Sequence, residues 1–129
     1  MFTIKDDQSI HLTRGDIASV EVSARKSETE NYIFQVGDIV RFKVFEAKRV
    51  NSVALSVDIE VKEEIEVVNI PLTAEDTQIG ELINKPKDYW YEVELNPDTA
   101  PQTIIGYDDY GPKIFRLYPE GGDRDEYRD

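Results

Sequence analysis

Residues 53–61 read VALSVDIEV, and this stretch decides the predicted fold. Every odd position is apolar, whereas the even positions hold Ala54, Ser56, Asp58 and Glu60. A period of two with one apolar side is typical of a β-strand that is buried on one face. The stretch therefore predicts a strand whose odd side chains enter a hydrophobic core.

The same alternation occurs upstream in residues 18–22 and 40–44, and the apolar positions of all three segments form the predicted core. Weaker strand candidates lie at residues 9–13, 32–36, 65–72, 89–95, 102–105 and 113–118. Turn-forming residues separate these segments, and no long helical period lies between them. Short strands with this punctuation favour a sandwich or barrel over a parallel sheet with crossover helices. We predict an all-β chain folded as a single antiparallel β-sandwich.

One segment, residues 73–79, departs from the β pattern. Thr73 and Asp76 have the spacing of a capping box, in which each side chain accepts a backbone hydrogen bond at the start of a helix. Gly80 weakens a longer helix, and Pro86 ends any helix that forms. We therefore predict one short helical turn at 73–79.

The length of 129 residues is that of one domain with an adequate core. The last nine residues read GGDRDEYRD and show no apolar period. Glycines followed by mixed charges are typical of mobile termini and linkers. The sequence predicts a β-sandwich domain over residues 1–120 and a flexible charged tail over residues 121–129.

Charge and cysteine content exclude several classes of function. The chain has 15 Lys and Arg against 27 Asp and Glu, which gives a net charge of -12, and it has no cysteine. Nucleic acids and anionic membranes attract basic surfaces, so neither is an expected partner. Without cysteine there is no disulfide, thiolate metal site or iron–sulfur cluster. The N-terminus lacks the apolar core of a signal peptide, and we expect the chain to be made in the cytoplasm.

Few residues suggest catalysis. His11 is the only histidine, and Glu92 and Glu94 alternate with apolar residues, which predicts that both carboxylates lie on the outer face of a strand. The chain has no glycine-rich phosphate loop, nucleophile elbow or zinc motif. We therefore predict that it is not an enzyme and has no catalytic residue, metal ligand or cofactor. Calcium binding by loop carboxylates stays open, and the candidates are Asp98, Asp108, Asp109, Asp123 and Asp125.

The tripeptide Arg14-Gly15-Asp16 has two interpretations. It is the integrin-recognition sequence when it is displayed at the tip of an extended loop. Here it lies between two predicted strands, where Gly-Asp is typical of a tight turn. The turn is the favoured interpretation, and Gly37-Asp38, also directly before a strand, supports it.

Aromatic residues supply the candidate binding site. Trp90 lies in a predicted strand, and Tyr107 and Tyr110 lie near a turn downstream of it. Trp and Tyr are enriched in protein interfaces, so these three are the predicted contact residues. The competing interpretation places Tyr89 and Tyr91 in the core and uses Trp90 to cover the sheet.

Three segments together resemble a known group of proteins: residues 12–16 (LTRGD), 32–45 (YIFQVGDIVRFKVF) and 88–105 (DYWYEVELNPDTAPQTII). They are similar to small all-β proteins, and to N-terminal domains of baseplate upper proteins, from tails of phages and prophages of Gram-positive bacteria. The resemblance implies an immunoglobulin-like sandwich that is a structural or adaptor module without catalytic residues. It also implies partners among tail or baseplate proteins, and a place first in the host cytoplasm and then in the virion tail.

A second function stays open from the residues alone. The same aromatic side chains are able to stack on sugar rings, so the alternative is a carbohydrate-binding β-sandwich module with a calcium ion in a loop. Free strand edges also leave room for strand addition or for a homo-oligomer.

Overall fold

The computed structural model describes residues 2–4, 8–27, 29–46, 53–81, 83–106 and 111–119. Within these ranges the chain is all-β, as predicted, and contains no helix. Its strands are β1 (Phe2–Ile4), β2 (Ile10–Thr13), β3 (Ala18–Val22), β4 (Ala24–Arg25), β5 (Asn31–Tyr32), β6 (Ile39–Phe45), β7 (Val53–Glu60), β8 (Val68–Leu72), β9 (Lys87–Leu95), β10 (Gln102–Ile105) and β11 (Lys113–Tyr118).

The main sheet has the strand order β1-β2-β11-β9-β6-β7. The first half of β9 pairs with β11, and its second half pairs with β10, so β10 and β11 follow one another along the same edge of β9. Two small sheets, β3 with β8 and β4 with β5, complete the described structure. The sheets curl into a half-barrel.

The prediction of a purely antiparallel sheet is wrong at one pair of strands. β2 and β11 run parallel, with Ile10 opposite Phe115 and Leu12 opposite Leu117. All four of these side chains are buried. Alternation reports which side of a strand is buried, and it carries no information about the direction of the neighbouring strand.

One hydrophobic core joins the main sheet to the β3–β8 pair. The predicted core positions Val20, Val22, Val40, Phe42 and Val44 all lie in it and are buried. Most of its other large side chains come from alternating positions of β2, β8, β9 and β11, namely Ile10, Leu12, Ile70, Leu72, Tyr89, Tyr91, Phe115 and Leu117, and Phe34 and Ile79 join them from outside the strands. The predicted tail at 121–129 lies outside the described residues.

Residues 53–61, the segment from which the fold was predicted, form a strand over Val53–Glu60 but contribute less to the core than predicted. Leu55, Val57 and Ile59 are only partly buried against the core, and Val53 is 47% exposed. β7 is the last strand of the main sheet, so its inner side chains lie at the rim of the core. A bulge also shifts the register so that Val53 pairs with Phe45, on the outer face of β6.

The predicted helical turn at 73–79 is wrong. The capping-box hydrogen bonds are present, since the Thr73 N–H donates to the Asp76 carboxylate and the Asp76 N–H donates to the Thr73 hydroxyl. They close a turn that does not continue as a helix. The Thr77 N–H still donates to the Thr73 carbonyl, but the next N–H, that of Gln78, donates to the Glu75 carbonyl, and Gly80 has a φ of +71°, which directs the chain away from a helical path.

Candidate functional site

The outer face of the main sheet carries an apolar row that contains Trp90. Phe45 of β6 and Ile114 of β11 are the register partners of Trp90 on its two sides, and Val53 of β7 is the partner of Phe45. These side chains lie on the face opposite the core, because their chain neighbours Val44, Tyr91 and Phe115 point into it. We call Val53, Phe45, Trp90 and Ile114 the outer row.

The outer row is compact. Phe45 is 5% exposed, and the Lys43 ammonium lies 5.8 Å from the centroid of its ring. Trp90 and Ile114 are half-buried, so each presents part of its apolar surface to solvent. The row is therefore an apolar strip across four adjacent strands, in which Phe45 is already covered and Val53, Trp90 and Ile114 keep surface exposed to solvent.

Ion pairs lie on both sides of the outer row. On one side Arg116 binds Asp88 through two hydrogen bonds of 2.5 and 3.0 Å. These bonds lower the pKa of Asp88 against the opposing effect of burial. On the other side Lys43 pairs with Glu94 at 2.7 Å and approaches Glu92 at 3.9 Å. The strip is thus bordered by the Arg116–Asp88 pair on one side and by Lys43 with two carboxylates on the other.

Glu92 is a carboxylate of this face whose pKa is raised rather than lowered. Burial raises its pKa, and so does the negative charge of Glu94, while Lys43 acts in the opposite direction. The prediction that Glu92 and Glu94 share the outer face of a strand is confirmed. Within the described residues, no group of three or more His, Asp or Glu side chains is placed to hold a metal ion.

The structure places the aromatic residues on two different faces. Tyr89 and Tyr91 are buried in the core, as the competing interpretation proposed, and Trp90 lies on the outer face. Tyr107 and Tyr110 lie outside the described residues. The role of Trp90 as a contact residue stays a prediction.

A second surface was not found by sequence reasoning. It is a cleft of about 650 Å³ that is lined by residues of β4 and β10. Residues 23–26 line one side and Gln102–Ile105 line the other, with Gln8, Tyr32 and Leu95 completing the wall. The only sequence signal is Arg25-Lys26, one of two adjacent basic pairs in an acidic chain.

Tyr32, which lines the cleft, belongs to a hydrogen-bond network centred on Asp38. The Asp38 carboxylate accepts hydrogen bonds from the Tyr32 hydroxyl at 2.6 Å, the Gln35 N–H at 2.9 Å and the Asn96 amide at 3.1 Å. Burial opposes ionisation of Asp38, but these three donors lower its pKa overall. The bond to Asp38 raises the pKa of Tyr32 from 10.0 to about 12. The network ties β5 to the turn after β9.

Tyr32→Phe is expected to lower the free energy of unfolding by about 1 kcal/mol at pH 7, because it removes one partly exposed hydrogen bond to a charged group. A raised tyrosine pKa stabilises the fold below pH 10, and this contribution is lost as the pH rises towards 12. Urea unfolding of both proteins from pH 8 to 11.5 measures the difference. The gap between wild type and variant should narrow above pH 10, and a constant gap would contradict the network.

The lone histidine is engaged with its neighbours on the outer face. Its Nε2 lies 3.1 Å from the Ser9 hydroxyl, and its Nδ1 lies 3.0 Å from the Tyr118 hydroxyl. His11 and Tyr118 also make a tilted ring contact at 6.0 Å. The contacts with Tyr118 connect β2 to β11, and the bond to Ser9 is local, so His11 acts as a link between two strands.

Comparison of the chain with family models, with curated proteins and with solved structures gives no match. The part of the chain that the structure describes also holds no helix with the length and hydropathy needed to cross a membrane. The functional argument therefore depends on the two surfaces themselves.

Proposed function

We propose that this chain is a non-catalytic module that works through protein–protein contacts. The observation that carries the proposal is the outer row, an apolar strip with charged pairs on both sides. Protein interfaces have this anatomy, with an apolar centre that contains aromatic residues and a polar rim. Trp90 is the candidate anchor, because tryptophan is enriched among the few residues that dominate binding energy.

The ion pairs of the rim favour a protein partner over an open solvated face. Arg116 is paired with Asp88 before binding, and Lys43 is paired with Glu94 and also lies near Glu92, so covering the rim leaves neither cation without a carboxylate. In such a complex Trp90 and Ile114 lose their remaining contact with water, and this gain is largest when the ion pairs stay at the solvated edge of the interface.

The assembly we propose is a phage or prophage tail. Its support is the resemblance of residues 12–16, 32–45 and 88–105 to tail and baseplate proteins. In this context the partners are other tail or baseplate proteins, and the chain passes from the host cytoplasm into the virion. The finer architecture we propose is an immunoglobulin-like sandwich, supported by the single core between the main sheet and the β3–β8 pair.

Trp90→Ala is expected to reduce partner binding at least tenfold while the chain stays folded, because the indole is half-buried outside the core. The readout is photo-crosslinking in the cells and tail particles of the phage or prophage that carries the gene, with a benzoyl-phenylalanine at position 114. A discrete protein adduct should form and should fall with Trp90→Ala. Far-UV circular dichroism checks the fold.

Ile17→Ala is the matched control, since Ile17 is 77% exposed and precedes β3 in the chain. It should leave the adduct unchanged. The absence of any protein adduct, or equal loss in both variants, would contradict the proposal. Binding to a glycan array that disappears with Trp90→Ala would instead establish the carbohydrate-binding alternative, and its loss with a chelator would identify a calcium requirement. Absence of the chain from purified tail particles would overturn the tail assignment.

A further inference from the structure

We propose that this chain forms a dimer through the outer edge of β7, which pairs in antiparallel orientation with β7 of a second copy. β7 is the last strand of the main sheet, and within the described residues it pairs with β6 alone. The two main sheets then form one continuous sheet across a two-fold axis. This contact goes beyond the proposed function, because it uses a strand edge and not the face that carries Trp90.

Alternate backbone groups of β7 are directed away from β6. The Val61 N–H, directly after β7, donates to the carbonyl of Asp38 at 2.8 Å. The carbonyl of Ile39, the next residue of that chain segment, accepts from the Asn96 N–H at 2.7 Å on the opposite side of β6. Bonded and non-bonded residues alternate along an antiparallel pair. The odd residues of β7 therefore bond to β6, and the N–H and C=O groups of even residues 56–60 point to the outer edge.

The side chains of β7 fit one symmetric register, centred on Val57. Residues that face each other in an antiparallel pair point to the same side of the sheet, so the apolar odd positions must lie opposite one another. With Val57 opposite the partner's Val57, Leu55 lies opposite the partner's Ile59. A shift by two residues in one direction places Asp58 opposite the partner's Asp58. The same shift in the other direction places Ile59 opposite the partner's Val53, which lies beyond the bulge.

Apolar surface left on β7 supplies the driving force. Leu55, Val57 and Ile59 are only partly buried against the core. In the centred register each of these side chains meets an apolar side chain of the second copy and loses contact with water. The rim of one core is thereby joined to the rim of the other.

The charges at this edge are balanced locally, although the chain as a whole has a net charge of -12. Arg41 binds Asp58 at 2.7 Å, and Lys62 binds Glu60 at 3.2 Å. In the centred register Asp58 lies opposite the partner's Ser56, so no two carboxylates lie directly opposite each other. The remaining repulsion between two acidic copies acts over a longer range, and added salt should therefore strengthen the dimer.

The symmetry of this dimer places both outer rows on the same side of the continuous sheet. A partner with two matching sites is then able to contact Trp90 of both copies and gains avidity. This consequence rests on the proposed function, whereas the dimer itself does not.

Sedimentation velocity of the full chain over a concentration series, at low and at moderate salt, measures the dimer. Ser56→Asp should weaken it about tenfold, because a carboxylate then lies opposite the partner's Asp58 and the pair occurs twice across the axis. Ser56→Lys should strengthen it. Gln102→Asp is the matched control, since it makes the same charge change at an exposed position of β10, which pairs with β9 and not with β7. It should leave the dissociation constant within about twofold.

Amide exchange and disulfide capture test the register. When the dimer forms, the N–H groups of Ser56 and Asp58 should exchange more slowly, whereas that of Val57 should change little because it already bonds to β6. The chain has no cysteine, so Val57→Cys should give a disulfide-linked dimer under mild oxidation, since residues of a central non-bonded pair lie about 4.5 Å apart at Cα. Glu60→Cys should not, because its two copies lie near opposite ends of the paired strands.

The proposal is overturned if the chain stays monomeric at both salt concentrations or if Ser56→Asp and Gln102→Asp have equal effects. Capture of a dimer by Glu60→Cys and not by Val57→Cys has the same meaning. A dimer that forms without slower exchange at residues 56 and 58 would place the contact elsewhere on the molecule and would also contradict the pairing of β7.

Discussion

Phe42→Ala is expected to lower the free energy of unfolding by about 3 to 5 kcal/mol, the usual cost of removing a large aromatic side chain from a packed core. Phe42 is fully buried on β6, between β7 and β9. Its ring lies 5.5 Å from that of Tyr91 and 6.0 Å from that of Phe115. Loss of the ring leaves a cavity where three strands meet, and domains of this size have a total stability of only about 5 to 15 kcal/mol.

Urea unfolding followed by circular dichroism measures this loss. Val57→Ala is the matched control, because Val57 is the register partner of Phe42 on β7 but is only partly buried. Its expected cost is about 1 kcal/mol. Equal costs for the two substitutions would mean that β6 does not lie at the centre of the core, and the arrangement of the main sheet would then be wrong.

The strands of the core could be predicted because the alternation of apolar and polar residues in each strand shows which of its faces is buried. In β6, β9 and β3 the alternation matches the buried face of the structure residue by residue. Two short elements were missed, β1 at Phe2–Ile4 and β4 at Ala24–Arg25. A strand of two or three residues has no room to display a period of two, so its existence depends on its partner.

The arrangement of the strands could not be predicted, because it depends on contacts between distant parts of the chain. In the parallel pair of β2 and β11, Ile10 lies opposite Phe115, and the apolar alternation of either strand does not indicate this pairing. The bulge beside Phe45 could not be predicted either. It shifts the register so that Val53, predicted on the core face, pairs with Phe45 on the outer face.

The two surfaces differ in how far the sequence reveals them. The outward position of Trp90 follows from alternation with Tyr89 and Tyr91, so it was within reach of sequence reasoning. The cleft is lined by both β4 and β10, although these strands are far apart in the chain and belong to different sheets. Only the basic pair at residues 25 and 26 hinted at it.

The contacts of Arg14 support the interpretation of the Arg14-Gly15-Asp16 tripeptide as a structural turn. Its side chain is only 8% exposed. Its guanidinium donates to the carbonyls of Gln78 at 3.0 Å, Ile79 at 3.2 Å and Gly80 at 2.8 Å. The adjacent Gly15 N–H donates to the buried Thr77 hydroxyl at 3.0 Å. The turn at residues 14–16 therefore holds the segment between β8 and β9, and its arginine points inward rather than towards a receptor.

Arg14→Ala is expected to lower the free energy of unfolding by about 2 to 4 kcal/mol, because three carbonyls lose a charged donor and the buried stem leaves a gap. Arg14→Lys should recover part of this loss, since an ammonium cannot reproduce the fork that spans three carbonyls. Exchange of amide hydrogens in residues 77–81 should rise more than exchange in the core strands.

Thr77→Val tests whether the two contacts act as one unit. Alone it removes the hydroxyl that accepts from Gly15 and donates to Asp16, at a cost of about 1 to 2 kcal/mol. If Arg14 and Thr77 jointly hold the segment, the double variant should cost less than the sum of the single variants, because the segment detaches once. Strict additivity, together with unchanged exchange at residues 77–81 in Arg14→Ala, would show that the turn does not hold this segment.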